Sequence, residues 1–291
     1  MSYTALLLIV LAAFIHATWN LLAKRASQGG PTFVLVYTTI SALAYLPWVA
    51  WLIWQGATRW TLPILVCIAL SGALHLAYSL FLQRGYQVAD LSVVYPIARG
   101  SGPLLSTLGA FLILGEQPSG YGLAGLVAIV SGILLISTQG NLAKFRQPAA
   151  RSGLRWGMIT GTAISGYTVV DAYGVKLLGI HPVVLDWCAN LVRVVILLPW
   201  VLARRHLIRS RMKGNWWLAM AVGLLSPLSY ILVLMALQIG APLSLTAPAR
   251  EMSMMVGALF GMIILREKVG PMRLLGCAIL MAGVILLGMA D

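Results

Sequence analysis

The chain has 291 residues, of which 60% are hydrophobic and only 9% charged, whereas a soluble domain carries about 25% charged residues. This excludes a soluble globular domain, and apolar runs of ~20 residues point to membrane-spanning helices instead of a barrel. The formal net charge of +13 would suggest nucleic acid in a soluble protein, but here the basic residues lie between apolar runs, so the charge reports orientation in a bilayer and implies no nucleic-acid partner.

In chain order, spans are expected over roughly 3–22, 32–54, 62–83, 91–114, 121–137, 154–178, 183–203, 216–238, 243–265 and 271–289, each near the ~20 residues that cross the hydrocarbon. No Lys or Arg precedes the first run, and Lys24 and Arg25 follow it. A cleaved signal peptide has the reverse order, so the first run is expected to remain as a helix. The fifth span is short and the tenth begins at Pro271. The longest connections, around 138–153 and 204–215, are too small to be domains. The expected class is an all-α polytopic membrane protein of ten transmembrane helices.

Connections after the odd-numbered spans hold Lys24, Arg25, Arg84, Lys144, Arg146, Arg151, Arg155, Arg204, Arg205, Arg209, Arg211, Lys213, Arg266, Lys268 and Arg273. The opposite side holds only Arg59 and Lys176, while Arg99, Arg193 and Arg250 fall inside spans. The positive-inside rule then places both termini outside the cytoplasm. Cys67, Cys188 and Cys277 lie in apolar runs without a CxxC spacing, so they read as packing residues with no disulfide or metal.

The second half repeats the first about 151 residues later. Leu46-Pro47-Trp48-Val49 recurs as Leu198-Pro199-Trp200-Val201, Ala98-Arg99 as Ala249-Arg250, and Leu114-Gly115-Glu116 as Leu265-Arg266-Glu267. The repeats are expected at 1–140 and 152–291, joined by a linker at 141–151. Five spans per copy force the second copy to enter the membrane inverted, the build of many alternating-access carriers around a midplane site.

Ionisable groups in a bilayer core are costly, so each is a candidate site. The repeat offset sets His16 on Tyr167, Asn20 on Asp171, His75 on Ser226 and Arg99 on Arg250. His16 and Asn20 are four apart and share a helical face, as do Tyr167 and Asp171, and Ser226 and Tyr230. Tyr78 lies three beyond His75, and Trp19 adds an aromatic wall. These residues are expected to line one cavity, or to make interhelical hydrogen bonds without a ligand. Pro96 and Pro248 precede the two arginines and free carbonyls near them. Either guanidinium could hold a carboxylate or phosphate. The alternatives are fixed interactions: Arg250 with Asp171 or Glu251, and Arg99 with a helix end or carbonyls, because no acid lies inside the membrane in its half. Asp171 and Glu251 are the candidates for proton coupling. Asp186, Asn190 and Arg193 form one stripe on the seventh span and read as an intrahelical network.

Glu116 and Glu267 end the fourth and ninth spans and read as caps of the following turn, or as gate and orientation elements. Gly109, Gly122, Gly125, Gly257, Gly261, Gly276 and Gly283 suit close helix packing. The fifth and tenth spans carry almost no polar side chains and are expected at the periphery or in a homodimer contact. No phosphate loop, HExxH, GxSxG or Cys/His metal set is present, so neither an enzyme nor a metal or cofactor site is expected.

The run Val93-Val94-Tyr95-Pro96-Ile97-Ala98-Arg99-Gly100, then Leu112-Ile113-Leu114-Gly115-Glu116 and Gly125 to Leu135, resembles the EamA family of the drug/metabolite transporter superfamily. So do Leu245-Thr246-Ala247-Pro248-Ala249-Arg250-Glu251, Leu265-Arg266-Glu267 and Gly276 to Leu287, with Trp19-Asn20 similar to the family's first-helix signature. The resemblance implies ten helices in two inverted five-helix repeats, with a cavity lined by the first, third, fourth, sixth, eighth and ninth. It implies a bacterial inner-membrane carrier, with periplasmic termini, that exports small metabolites such as amino acids or related carboxylates. A multidrug or cationic-metabolite exporter, or a lipid-linked head-group flippase, is the alternative. Arg at both 99 and 250 departs from the commonest family pattern and tilts the expected substrate toward one with an acidic group.

Overall fold

The computed structural model describes residues 2–26, 29–88, 91–117, 119–141, 143, 145, 150–203, 208–263 and 270–289. These form α1 (Tyr3–Arg25), α2 (Gly30–Trp54), α3 (Leu62–Val88), α4 (Leu91–Ile113), α5 (Gly120–Thr138), α6 (Ala150–Lys176), α7 (Pro182–Leu202), α8 (Ile208–Met212), α9 (Trp216–Gln238), α10 (Leu243–Ala249), α11 (Met252–Ile263) and α12 (Pro271–Gly288). Seven of them, α1, α2, α3, α5, α7, α9 and α12, are long and apolar enough to cross a membrane. The other expected spans, α4, α6 and the broken α10–α11 pair, carry Arg99, Asp171, Arg250 and Glu251; polar residues lower the apolar signal of α4 and α6, and the break leaves α10 and α11 each too short to cross alone.

Two features depart from a simple ten-span reading. A five-residue helix, α8, forms in the connection expected around 204–215. The expected ninth span is broken at Arg250 and Glu251 into α10 and α11. Pro248 removes a backbone donor there, and the chain tightens into i→i−3 bonds from Glu251 N to Pro248 O, Ser253 N to Arg250 O and Met254 N to Glu251 O. In contrast, α4 runs unbroken through Pro96 and Pro103.

Helix packing follows the repeat. The first-repeat helix α1 packs on α9, and its counterpart α6 packs on α3. Helices α2 and α7 pack on each other, as do α5 and α12 and also α4 and α10, each with its own repeat partner, as a pseudo-two-fold relation between the repeats requires. The inversion is visible in one place. Glu116, just past the end of α4, bonds the start of α10, so these repeat-related helices meet end to beginning and run in opposite senses. Gly125, near the start of α5, meets Gly283 and Leu287, and Leu6 lines one cavity with Ile285 and Gly288, so the end of α12 and the start of α1 lie on the same face as the end of α4, hereafter the terminal face.

The α5–α12 seam depends on glycine. A Cβ on Gly125 would lie 2.8 Å from Gly283 O, and one on Gly132 would lie 2.8 Å from Gly276 O. The reverse distances, from Gly283 to Gly125 O and Gly276 to Gly132 O, are 2.8 and 2.9 Å. The backbones therefore touch at two levels, which needs small residues on both sides. The outer faces of this pair expose Leu123, Val127, Leu275 and Ile285, as a peripheral position requires. All three cysteines are free.

Candidate substrate site

The polar groups brought together come from α3, α4, α6, α9 and the α10–α11 break. Asp171, 1% exposed on α6, is the hub. Its Oδ2 lies 3.0 Å from His75 Nε2 and accepts the Tyr230 hydroxyl at 2.5 Å. Its Oδ1 is buried without a hydrogen-bond partner. His75 stacks on Tyr167 with ring centroids 3.9 Å apart, and Tyr78 and Tyr230 meet Tyr167 edge-on at 5.8 and 6.0 Å. The result is an aromatic box with one carboxylate in its wall.

Arg250 closes the other side of the box. Its Nη2 donates to Tyr167 OH at 3.3 Å, and its guanidinium carbon lies 5.9 Å from the Tyr167 ring centroid and 5.8 Å from that of Tyr230, within the range of cation–π attraction. Its Nε is buried without a hydrogen-bond partner. The expected ion pair of Arg250 with Asp171 or Glu251 does not form among the described residues. The hydroxyls of Tyr167 and Tyr230 stand between the charges instead.

Arg99 corrects the expectation that it lacks an acid. Its Nε lies 2.8 Å from Glu251 Oε2, its Nη2 donates to Ser253 Oγ at 3.2 Å, and its guanidinium faces the Tyr95 ring at 6.0 Å. The acid comes from the other repeat, delivered by the turn that breaks α10 from α11.

Other expected members stand apart. Asn20 is exposed and donates to His16 O of its own helix at 3.0 Å. Trp19 Nε1 donates to Ser229 Oγ at 3.1 Å, and Ser226 contributes only its carbonyl, accepting from Ser229. His16 packs edge-on against Trp19 at 4.9 Å and lies within electrostatic reach of both arginines. The stripe on α7 is not an intrahelical network. Asn190 reaches across to Thr38 O of α2 at 2.8 Å, and no Asp186–Arg193 ion pair forms among the described residues. Ser253, Ser229 and Tyr95 were not anticipated. Ser229 could have been found, because the repeat offset sets it on Tyr78.

Glu116 does not cap the turn that follows it; Ser119 does that for α5, accepting from Gly122 N. Glu116 instead accepts from Leu243 N at 2.6 Å, Ser244 N at 2.9 Å, Ser244 Oγ at 2.7 Å and Lys176 Nζ at 2.9 Å. Burial pushes its carboxyl up, but the Ser244, Leu243 and Lys176 donors outweigh that and hold it below its ordinary value. Glu267, Lys144, Arg146, Arg204, Arg205, Arg266 and Lys268 lie outside the described residues.

Beside the polar cluster is a separate apolar cavity of about 400 Å³ between α1, α11 and α12, lined by Leu6, Val10, Phe14, Met252, Met255 and Met281 among others. It holds no group that could orient a polar ligand. The polar cluster is therefore the better candidate for recognition, as convergent charged and aromatic groups fix a ligand's orientation.

Two helical repeats that enclose opposed buried charges have the build of a membrane carrier. The family scan agrees: residues 3–138 and 151–289 match the EamA-like transporter family, and the chain belongs to that family. A solved structure, described only as the crystal structure of a protein, superposes with a TM-score of 0.71 over 99% of this chain and 98% of its own, at 16% identity. At that identity it shows the fold alone. No curated protein sequence matches the chain significantly.

Proposed function

We propose that this chain exports small metabolites that carry a carboxylate, amino acids or related compounds, by alternating access across the bacterial inner membrane. One observation carries the reading: Arg250 Nε and Asp171 Oδ1, each buried without a partner, flank one box of His75, Tyr78, Tyr167 and Tyr230. A carboxylate on Arg250 and an ammonium on Asp171 would satisfy both orphans, and an unsatisfied buried charge is costly enough to favour such a ligand. Arg99 and Glu251 already neutralise each other, so Arg99 serves as a structural partner, and proton coupling falls to Asp171 instead of Glu251. The excess of basic residues in the opposite loops supports a periplasmic terminal face.

A thermal-shift screen of purified protein against metabolites, followed by counterflow in proteoliposomes, tests this reading. Zwitterionic carboxylates should stabilise the protein by mass action and exchange. Stabilisation by lipophilic cations alone would overturn it. The apolar cavity between α1, α11 and α12 favours a second reading, a lipid-linked or amphipathic substrate whose tail lies in that cavity. Exchange of such a compound, abolished by Val10→Trp, would select it.

A further inference from the structure

Among the described residues, Glu116 is the carboxylate of the first repeat that grips the second, and its grip falls on the element that ends at Arg250. Helix α10 has seven residues, all buried, and spans about 10 Å. A helix that short has little stability of its own, so its two ends decide where it points. At its start, the Glu116 carboxylate takes two backbone N–H groups and the Ser244 hydroxyl. Thr107 Oγ1 of α4 adds a bond to Ser244 O at 3.3 Å. At its end, Arg250 N closes the last turn on Thr246 O, and the chain then breaks. Lys176, from the end of α6, bridges Glu116 Oε1 and Ala241 O, at 2.9 and 3.2 Å. The contact therefore draws together the end of α4, the end of α6 and the start of α10 at the terminal face.

We propose that Glu116 is a positioning residue: by capping α10 from the other repeat it holds Arg250 against Tyr167 while the terminal face is closed, and it releases both when that face opens. The proposal rests on Arg250 being the anion-binding group. A carboxylate at a helix start satisfies orphan amides and complements the helix dipole, so the cap is strong while the face is closed. When the repeats separate there, no other carboxylate among the described residues stands at that end, and α10 is free to tilt about the break at Arg250 and Glu251. Opening and ligand affinity are then coupled, and the coupling is reciprocal. Because Glu116 is held ionised below the ordinary carboxylate range, the latch is opened by movement of the repeats and not by physiological pH.

The test uses full-length protein in proteoliposomes, with the three native cysteines replaced and Thr246→Cys as a reporter in α10. Glu116→Gln keeps the shape but loses the charge and one acceptor oxygen. It should raise the rate of Thr246→Cys labelling by a membrane-impermeant maleimide about tenfold and raise KM for the exchanged carboxylate more than it lowers kcat, and Glu116→Asp should restore part of both. Lys176→Met, which leaves the backbone cap intact, should raise labelling about threefold and serves if Glu116→Gln folds poorly. Unchanged labelling in the folded fraction of both variants overturns the proposal. Increased labelling with normal transport by Arg250→Ala upholds the latch and instead overturns Arg250 as the anion group.

Discussion

Arg99 and Arg250 stand at the same place in two copies of one motif, and they do opposite things. Arg99 lies in an unbroken helix and is ion-paired with Glu251. Arg250 lies at a helix break and, among the described residues, its guanidinium meets the rings of Tyr167 and Tyr230 and the Tyr167 hydroxyl and forms no ion pair within 4 Å. Two sequence differences accompany this: Pro248 stands two residues before Arg250 whereas Pro96 stands three before Arg99, and Glu251 follows Arg250 whereas Gly100 follows Arg99. The break turns Glu251 toward the other repeat, which neutralises Arg99 and leaves Arg250 available. The two repeats thus hold one guanidinium in an ion pair and the other against tyrosines, from nearly the same sequence.

Substitutions can break or sharpen that contrast. The largest effect on the fold is expected from Glu251→Gln, which leaves Arg99 buried and unpaired at a cost of about 3–5 kcal/mol. Denaturant or thermal unfolding in detergent should show the loss, and Arg99→Met with Glu251→Met together should recover most of it. Arg250→Ala should cost less stability than Glu251→Gln yet cut transport about 100-fold, equivalent to ~3 kcal/mol of a charge-assisted bond. Next comes the region where the repeats are alike. Gly125→Ala and Gly283→Ala should each destabilise the α5–α12 seam by about 1–3 kcal/mol, and by similar amounts, because each Cβ would meet the facing carbonyl at 2.8 Å. Unequal melting shifts would show that the seam is less symmetric than the distances imply. The smallest effect is expected from Trp19→Phe, which removes only the bond to Ser229 and should cost about 1 kcal/mol.

Much of this was legible in the sequence because it is periodic or repeated. Apolar runs located the spans, and the offset of 151 singled out His75, Tyr167, Asp171 and Arg250, which the fold does gather. Contacts that cross between repeats were not legible. Glu251 reaches Arg99, and Glu116 reaches Leu243 and Ser244, through tertiary packing that no spacing within one helix encodes. The same limit explains Asp186 and Asn190. Four-residue spacing puts them on one face, but the face meets α2, and Thr38 O offered Asn190 a better partner than its own helix. Asn20 failed for the opposite reason: its nearest acceptor was local, at His16 O. A hint of the latch was present in Lys176, which the offset sets on Arg25 as a repeated basic residue.

The central claim is that the repeat-related arginines have divided structure and recognition between them. Counterflow of one carboxylate substrate in proteoliposomes, run side by side on Arg250→Met and on the paired Arg99→Met, Glu251→Met variant, tests it most directly. The paired variant should retain transport within about tenfold of the parent, while Arg250→Met falls about 100-fold or more. Robust exchange by Arg250→Met, with none by the folded paired variant, would contradict the account.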